Sequence, residues 1–177
     1  MTDLAAADPY GVLTEPATLT IQRFLPGPIE RVWAYLTESD LRRLWLASGE
    51  MEMKAGAPFE LVWRNSELTD PPGPRPEGFG DEHRMESRII ELNPPRKLVF
   101  AWGKGGEVAF ELEPRGDRVL LTVVHRRLPD RGTKLGVSAG WHAHLDMLVA
   151  RLTGEKPEPF WDRWSRLRKE YEGRIPG

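Results

Sequence analysis

The sequence predicts one α+β domain, a curved antiparallel sheet of about six to seven strands wrapped around a single long C-terminal helix. Three observations carry that prediction. The hydrophobic period changes from near 3.6 to 2 at about residue 48. Strand-like runs then follow one another at short intervals with turn signals between them, which specifies hairpins instead of crossover helices. Finally, the apolar stripe over residues 137–154 is the one long helical pattern available to cover the apolar face of such a sheet.

The elements follow in order. Residues 1–17, with Pro9, Gly11 and Pro16, read as an extended leader. Thr18 to Leu25 alternates as a strand, with Leu19, Ile21, Arg23 and Leu25 on one side. Pro26-Gly27-Pro28 stops it, and Pro28 suits the start of a helix on which Ile29, Val32, Trp33 and Leu36 share a face. Ser39 is placed to cap a second short helix holding Leu41, Leu44 and Trp45. Met51 and Met53 alternate with Glu50, Glu52 and Lys54, and Phe59, Leu61 and Trp63 alternate with polar neighbours, so both stretches are expected as strands. Further strands are expected at about 83–92, 97–102, 106–113 and 117–126, separated by Asn93-Pro94-Pro95, Gly103–Gly106 and Arg115-Gly116-Asp117. Ser66 to Asp81 interrupts them with four prolines and three glycines and is either a tolerated surface insertion or a lid.

The long helix is expected from Val137 to Gly154, its stripe made of Val137, Trp141, Leu145, Leu148 and Leu152 with Arg151 outside it. After Pro157 and Pro159, Phe160, Trp164, Leu167 and Tyr171 define a last amphipathic helix. The expected organisation is therefore a leader over 1–17, a main domain over 18–155 and a helical extension over 156–177 that packs on the domain or on a second subunit.

Composition limits the function classes. With 25 Lys+Arg against 27 Asp+Glu, the net charge is −2, which argues against a nucleic-acid partner. The absence of cysteine excludes disulfides, thiolate nucleophiles and Cys-ligated zinc. The N-terminal residues carry neither a basic region nor an apolar run, and no stretch of ~18 apolar residues occurs, so a cytoplasmic location without membrane insertion is expected. One excess stands out: seven Trp against six Phe and three Tyr. So many large rings need an apolar interior or a cavity to line.

Candidate chemistry is sparse. His144, three residues after Trp141 and four before Leu148, borders the buried stripe; it either closes a hydrogen bond at the helix edge or places one polar group in a cavity. His142 and Asp146 form an i,i+4 pair, expected as a solvated couple on an exposed face because the spacing supplies no third metal ligand. Ser138 lies one turn from His142, but no Gly-x-Ser-x-Gly elbow occurs, and no catalytic residue is assigned. Neither metal nor cofactor is expected. Arg126, Arg127, Arg131 and Lys134 form a basic cluster read as solvated loop charge. The expected ligand-lining set is Trp63, Trp102, Trp141, His144, Leu145, Leu148, Phe59 and Leu61, with Trp33 and Trp45 at the mouth; Trp161 and Trp164 are expected to dock the terminal helix.

Three segments together resemble a known superfamily: Arg23 to Trp45 (RFLPGPIERVWAYLTESDLRRLW), Glu91 to Trp102 (ELNPPRKLVFAW) and Gly140 to Leu148 (GWHAHLDML). They are similar to the START-like helix-grip superfamily, also called SRPBCC, in the branch related to the C-terminal domain of the activator of the heat-shock-protein-90 ATPase. The leader Asp8-Pro-Tyr-Gly11 and the tail Trp164 to Tyr171 are also similar to bacterial members. The resemblance implies a hydrophobic cavity under the long helix and leaves function open, because the superfamily hosts lipid carriers, cyclases, oxygenase domains and co-chaperone modules. Binding of a small hydrophobic or amphipathic ligand, in a stress-related setting, is the leading expectation. A chaperone partner whose ATPase is stimulated is the alternative, and a cyclase- or hydrolase-type enzyme the third. Both monomer and homodimer are open.

Overall fold

The computed structural model describes residues 8–176. Its sheet has seven antiparallel strands in the spatial order β1-β2-β7-β6-β5-β4-β3. In the chain these are β1 (Val12–Glu15), β2 (Thr18–Pro26), β3 (Pro58–Trp63), β4 (His83–Asn93), β5 (Lys97–Trp102), β6 (Gly106–Arg115) and β7 (Arg118–Arg126). The helices are α1 (Ile29–Thr37), α2 (Ser39–Arg42), α3 (Arg131–Thr153) and α4 (Phe160–Glu172).

The period-2 residues of each strand share the concave face. Leu19, Ile21 and Leu25 of β2 lie beside Val119, Leu121 and Val123 of β7, then Val108 and Phe110 of β6, all essentially buried. The β5–β6 and β6–β7 hairpins close with Trp102 opposite Gly106 and Arg115 opposite Arg118. Gly103 and Gly116 take positive φ there (59° and 64°), which a tight turn needs and a side chain disfavours.

Across this face runs α3, whose 23 residues span about 35 Å at 1.5 Å per residue. It starts six residues earlier than Val137, because the Asp130 carboxylate caps it by accepting the Thr133 N–H at 2.8 Å, and Gly154 ends it at φ 79°. The expected single stripe understates its burial. α4 packs along a second side against His142 and Asp146, and Ser138, His142 and Met147 are buried along with Trp141, Leu145 and Leu148.

Three further expectations are corrected. Part of the leader is a strand: Val12–Glu15 pairs with β2, a short edge element with too few apolar residues to show periodicity, while residues 1–7 lie outside the described residues. The Met51/Met53 stretch is not a strand. Only Ser48 bridges to Val62, Met53 is exposed, and Gly49 passes so close to the Glu60 backbone at φ 140° that a Cβ would sit 1.8 Å from its carbonyl oxygen. Ser39 does not cap α2; it is the helix's first residue and its Oγ accepts the Gly49 N–H at 2.8 Å. That turn is instead held by Arg42, fully buried, whose guanidinium donates to the carbonyls of Leu36, Thr37, Ala47 and Gly49. Burial pushes its pKa down to about 10.

Candidate ligand cavity

β3 and β5 both run antiparallel to the β4 strand between them, so they end at the same edge of the sheet, and each ends on a tryptophan. Trp63 and Trp102 meet edge to face there with ring centroids 5.4 Å apart. From α3, Trp141 comes down onto Trp102 at 5.5 Å. Its indole N–H donates to Nδ1 of His125 at 3.0 Å, and His125 in turn packs against Trp102 at 4.9 Å. Since Nδ1 accepts, the imidazole is neutral, and burial holds its pKa down at about 4. The orientation of Trp141 is therefore set from beneath by a buried histidine.

A second aromatic group faces the first. Phe79, from the Pro/Gly-rich segment, packs on Trp161 and Trp164 of α4 at 5.0 and 5.1 Å. The segment is tied to α4 by backbone as well: Trp161 N–H donates to the Pro72 carbonyl at 2.9 Å and Phe160 N–H to Thr69 Oγ1 at 2.9 Å. Between the two groups lies a cavity of about 430 Å³, within the size range of small-molecule sites. Gly136 and Gly140 of α3 line it, and a Cβ built on either meets no atom within 4 Å.

Polar groups in the lining are few. His144 donates from Nδ1 to the Trp45 carbonyl at 2.8 Å, because a carbonyl can only accept. Burial pushes its pKa down to about 4, so at neutral pH the ring is uncharged and Nε2 carries a lone pair. Asn65 Oδ1 is buried without a hydrogen-bond partner. At the rim, Glu82 is paired with Arg64 at 2.8 Å and Arg84 at 2.6 Å.

The structure brings four of the sequence-selected residues to the cavity: Trp63, Trp102, Trp141 and His144. Phe59, Leu61, Leu145 and Leu148 belong to the packed core and do not line it. Trp45 is fully buried 6.3 Å from Phe110, with its indole N–H on the Tyr35 carbonyl, and contributes its own carbonyl to His144. Trp33 is half-buried on α1 against the core, away from the lining. Three lining aromatics were missed as such: Trp161 and Trp164, which dock α4 and also wall the cavity, and Phe79. The signal for Phe79 was there, a lone aromatic in a Pro/Gly-rich loop.

The other side of α3 is closed by polar contacts. His142 is buried and not solvated as expected, because Tyr171 of α4 and Tyr10 pack against it. Its Nε2 accepts from Arg163 at 3.3 Å, which leaves Nδ1 to donate to the Tyr171 hydroxyl at 2.9 Å. Burial, with Arg23 and Arg163 nearby, holds its pKa down at about 3. Asp146 binds Arg163 at 2.9 Å and the buried Arg23 at 3.3 Å, and Tyr171 also accepts the Gly11 N–H at 2.7 Å. The three arginines of the basic cluster are likewise engaged: Arg126 and Arg127 pair with Glu107, and Arg131 donates to the carbonyls of Glu172, Ile175 and Pro176. Among the described residues no group of three metal-ligating side chains is assembled, and no helix is long and apolar enough to cross a membrane.

A family model described as Activator of Hsp90 ATPase homolog 1-like protein matches residues 26–153. A search of curated proteins gives no match. Among solved structures, a Bordetella parapertussis protein determined by solution NMR is 38% identical, covering 100% of this chain and 97% of its own, at a TM-score of 0.80. CalU16 from Micromonospora echinospora is 18% identical over 90% of this chain and 89% of its own, at a TM-score of 0.65. A protein of Enterococcus faecalis is 16% identical over 93% and 88%, at 0.67. The last two speak to the fold alone.

Proposed function

The chain belongs to the Activator of Hsp90 ATPase homolog 1-like family, and from that premise we propose that it is a cytoplasmic protein that binds one small hydrophobic or amphipathic molecule between its sheet and its long helix. The observation that supports this most directly is the 430 Å³ cavity walled by two aromatic groups, with His144 as its buried polar anchor. A mostly apolar concavity with a few convergent polar groups is the usual design of a small-ligand site. Binding is favoured over catalysis by the same histidine. General acid–base work is best served by a pKa near the operating pH, whereas His144 is held down at about 4, a neutral ring whose Nδ1–H is spent on the Trp45 carbonyl.

Five of the seven tryptophans line the cavity, so intrinsic emission reports its occupancy. Titration with a panel of 2-naphthol, 1-decanol, oleate and a bile acid is expected to give a saturable change in emission with at least one member. A linear, non-saturating response to the whole panel would sink the proposal.

A further inference from the structure

We infer that the ligand is an uncharged planar aromatic molecule that lies on the bare backbone of α3 at Gly136 and Gly140 and offers a hydroxyl or N–H donor to Nε2 of His144; this rests on the ligand-binding reading above.

The composition of the walls argues for a ring and against a chain. Six of the sixteen lining residues are Trp or Phe, and only Leu46 and Val137 are aliphatic. Aromatic pairs gain from stacking and edge-to-face geometry beyond what the buried area alone supplies, and a flexible alkyl chain forgoes that gain.

The glycines argue for a flat face. Glycine is the poorest helix former after proline, and Gly136 and Gly140 sit in the interior of α3. Neither is needed for close packing of protein atoms, since a Cβ at either would meet nothing within 4 Å. Spaced four residues apart they fall on one side of the helix, and His144 continues that line one turn further. The space their missing side chains leave is part of the cavity, a strip on which a ring can lie against peptide groups.

The polar groups fix the chemistry at the ring's edge. With its proton committed to the Trp45 carbonyl, His144 can only accept at Nε2, so the matching ligand group is a donor. Among the described residues no Lys or Arg lines the cavity; besides His144 its ionisable lining residues are Glu82 and His83, at the Trp63 side. A carboxylate or phosphate would lose its hydration there without gaining a counter-charge.

The experiment measures binding to the full chain at pH 7 by tryptophan emission and calorimetry, with 2-naphthol, 2-methoxynaphthalene, 2-naphthoate and 1-decanol as probes. The expected order places 2-naphthol first, with the methoxy ether and the carboxylate each weaker by about tenfold, the loss of one hydrogen bond at a site that prefers it, and 1-decanol weakest. Gly140→Ala is expected to weaken 2-naphthol by about tenfold while leaving the circular dichroism unchanged. His144→Phe is expected to bring 2-naphthol down to the level of its methyl ether; should that variant fail to fold, the ratio of the two probes on the unmodified chain reads the same contact. Equal affinity for 1-decanol and 2-naphthol, preference for the carboxylate, or indifference to Gly140→Ala overturns the inference and leaves the binding reading intact. Absence of saturable binding by all four probes, by oleate and by the bile acid overturns both.

Discussion

Two histidines two residues apart on α3 meet opposite fates. His142 points into a closed network in which both ring nitrogens have protein partners, Tyr171 and Arg163, and Asp146 joins the arginines around it. His144 points the other way, with one nitrogen fixed by the Trp45 carbonyl and the ring lining an empty volume. Both are buried and both are held neutral by burial. Burial and pKa therefore do not distinguish the histidine closed into the network from the one facing the cavity. The distinction lies in unspent hydrogen-bonding capacity next to space: the network side fastens leader, β2 and α4 together, and the cavity side keeps an acceptor available.

The largest expected effect tests what the two sides share. His125, His142 and His144 have folded pKa values of about 4, 3 and 4, below the ordinary 6.5 of the unfolded chain. As pH falls below 6.5 the unfolded state takes up these protons while the folded state does not. Stability that is fully present above pH 6.5 is therefore lost down to about pH 4, by roughly 1.4 kcal/mol per pH unit for each histidine. The three together give a slope that rises as pH drops through 6.5 and approaches about 4 kcal/mol per unit near pH 5, measurable as the urea midpoint across that range. His142→Gln should remove about a third of that slope. A slope unchanged by this substitution would show that His142 is not held neutral, and the parallel between the two sides would break.

Next in size is a test of what separates them. Asp146→Ala strands Arg23, whose side chain is 8% exposed, beside Arg163. The expected loss is about 3 kcal/mol, the lower end for breaking a buried pair, because Arg23 keeps its bonds to the Pro9 and Gln22 carbonyls. Probe affinity at the cavity should stay within about twofold, since coupling beyond direct contact is weak. Equal loss of stability and binding would mean that the network positions the cavity after all.

The sequence was most informative where one period dominated. The five strands from Phe59 onward, α1 and α4 follow from alternation or 3.6-residue spacing, because each has one buried face and one wet one. It was least informative where burial came from a partner distant in sequence. His142 and Asp146 look like a solvated pair until α4 is laid over them, and nothing local announces that Tyr171 and Arg163 will arrive there. The cavity was half legible for the same reason. Trp63, Trp102, Trp141 and His144 were readable from strand and helix faces, whereas Trp161, Trp164 and Phe79 required knowing that α4 and the Pro/Gly segment fold back over the open end of the sheet. Trp45 was misplaced at the mouth because a tryptophan on a closing helix can turn inward, and here it fills the core against Phe110.

The smallest expected effect sharpens the comparison most, because stability and binding should move in opposite directions. Gly136 lies mid-helix on the cavity strip; Gly132 lies in the first turn, outside the lining, with Asp130 Oδ1 3.5 Å from where a Cβ would stand. Replacing Gly136 by Ala should stabilise the fold by about 1 kcal/mol, the difference in helix propensity, because the added methyl meets nothing. It should also weaken 2-naphthol, since that methyl occupies the ligand's plane. Gly132→Ala should stabilise by less, as a first-turn position, and leave binding untouched. If Gly136→Ala raised stability without a cost in affinity, the bare strip would be an accident of helix composition and the two sides of α3 would differ only in how well they are filled. If both variants behave as expected, the glycine that weakens the helix is the one that shapes the site.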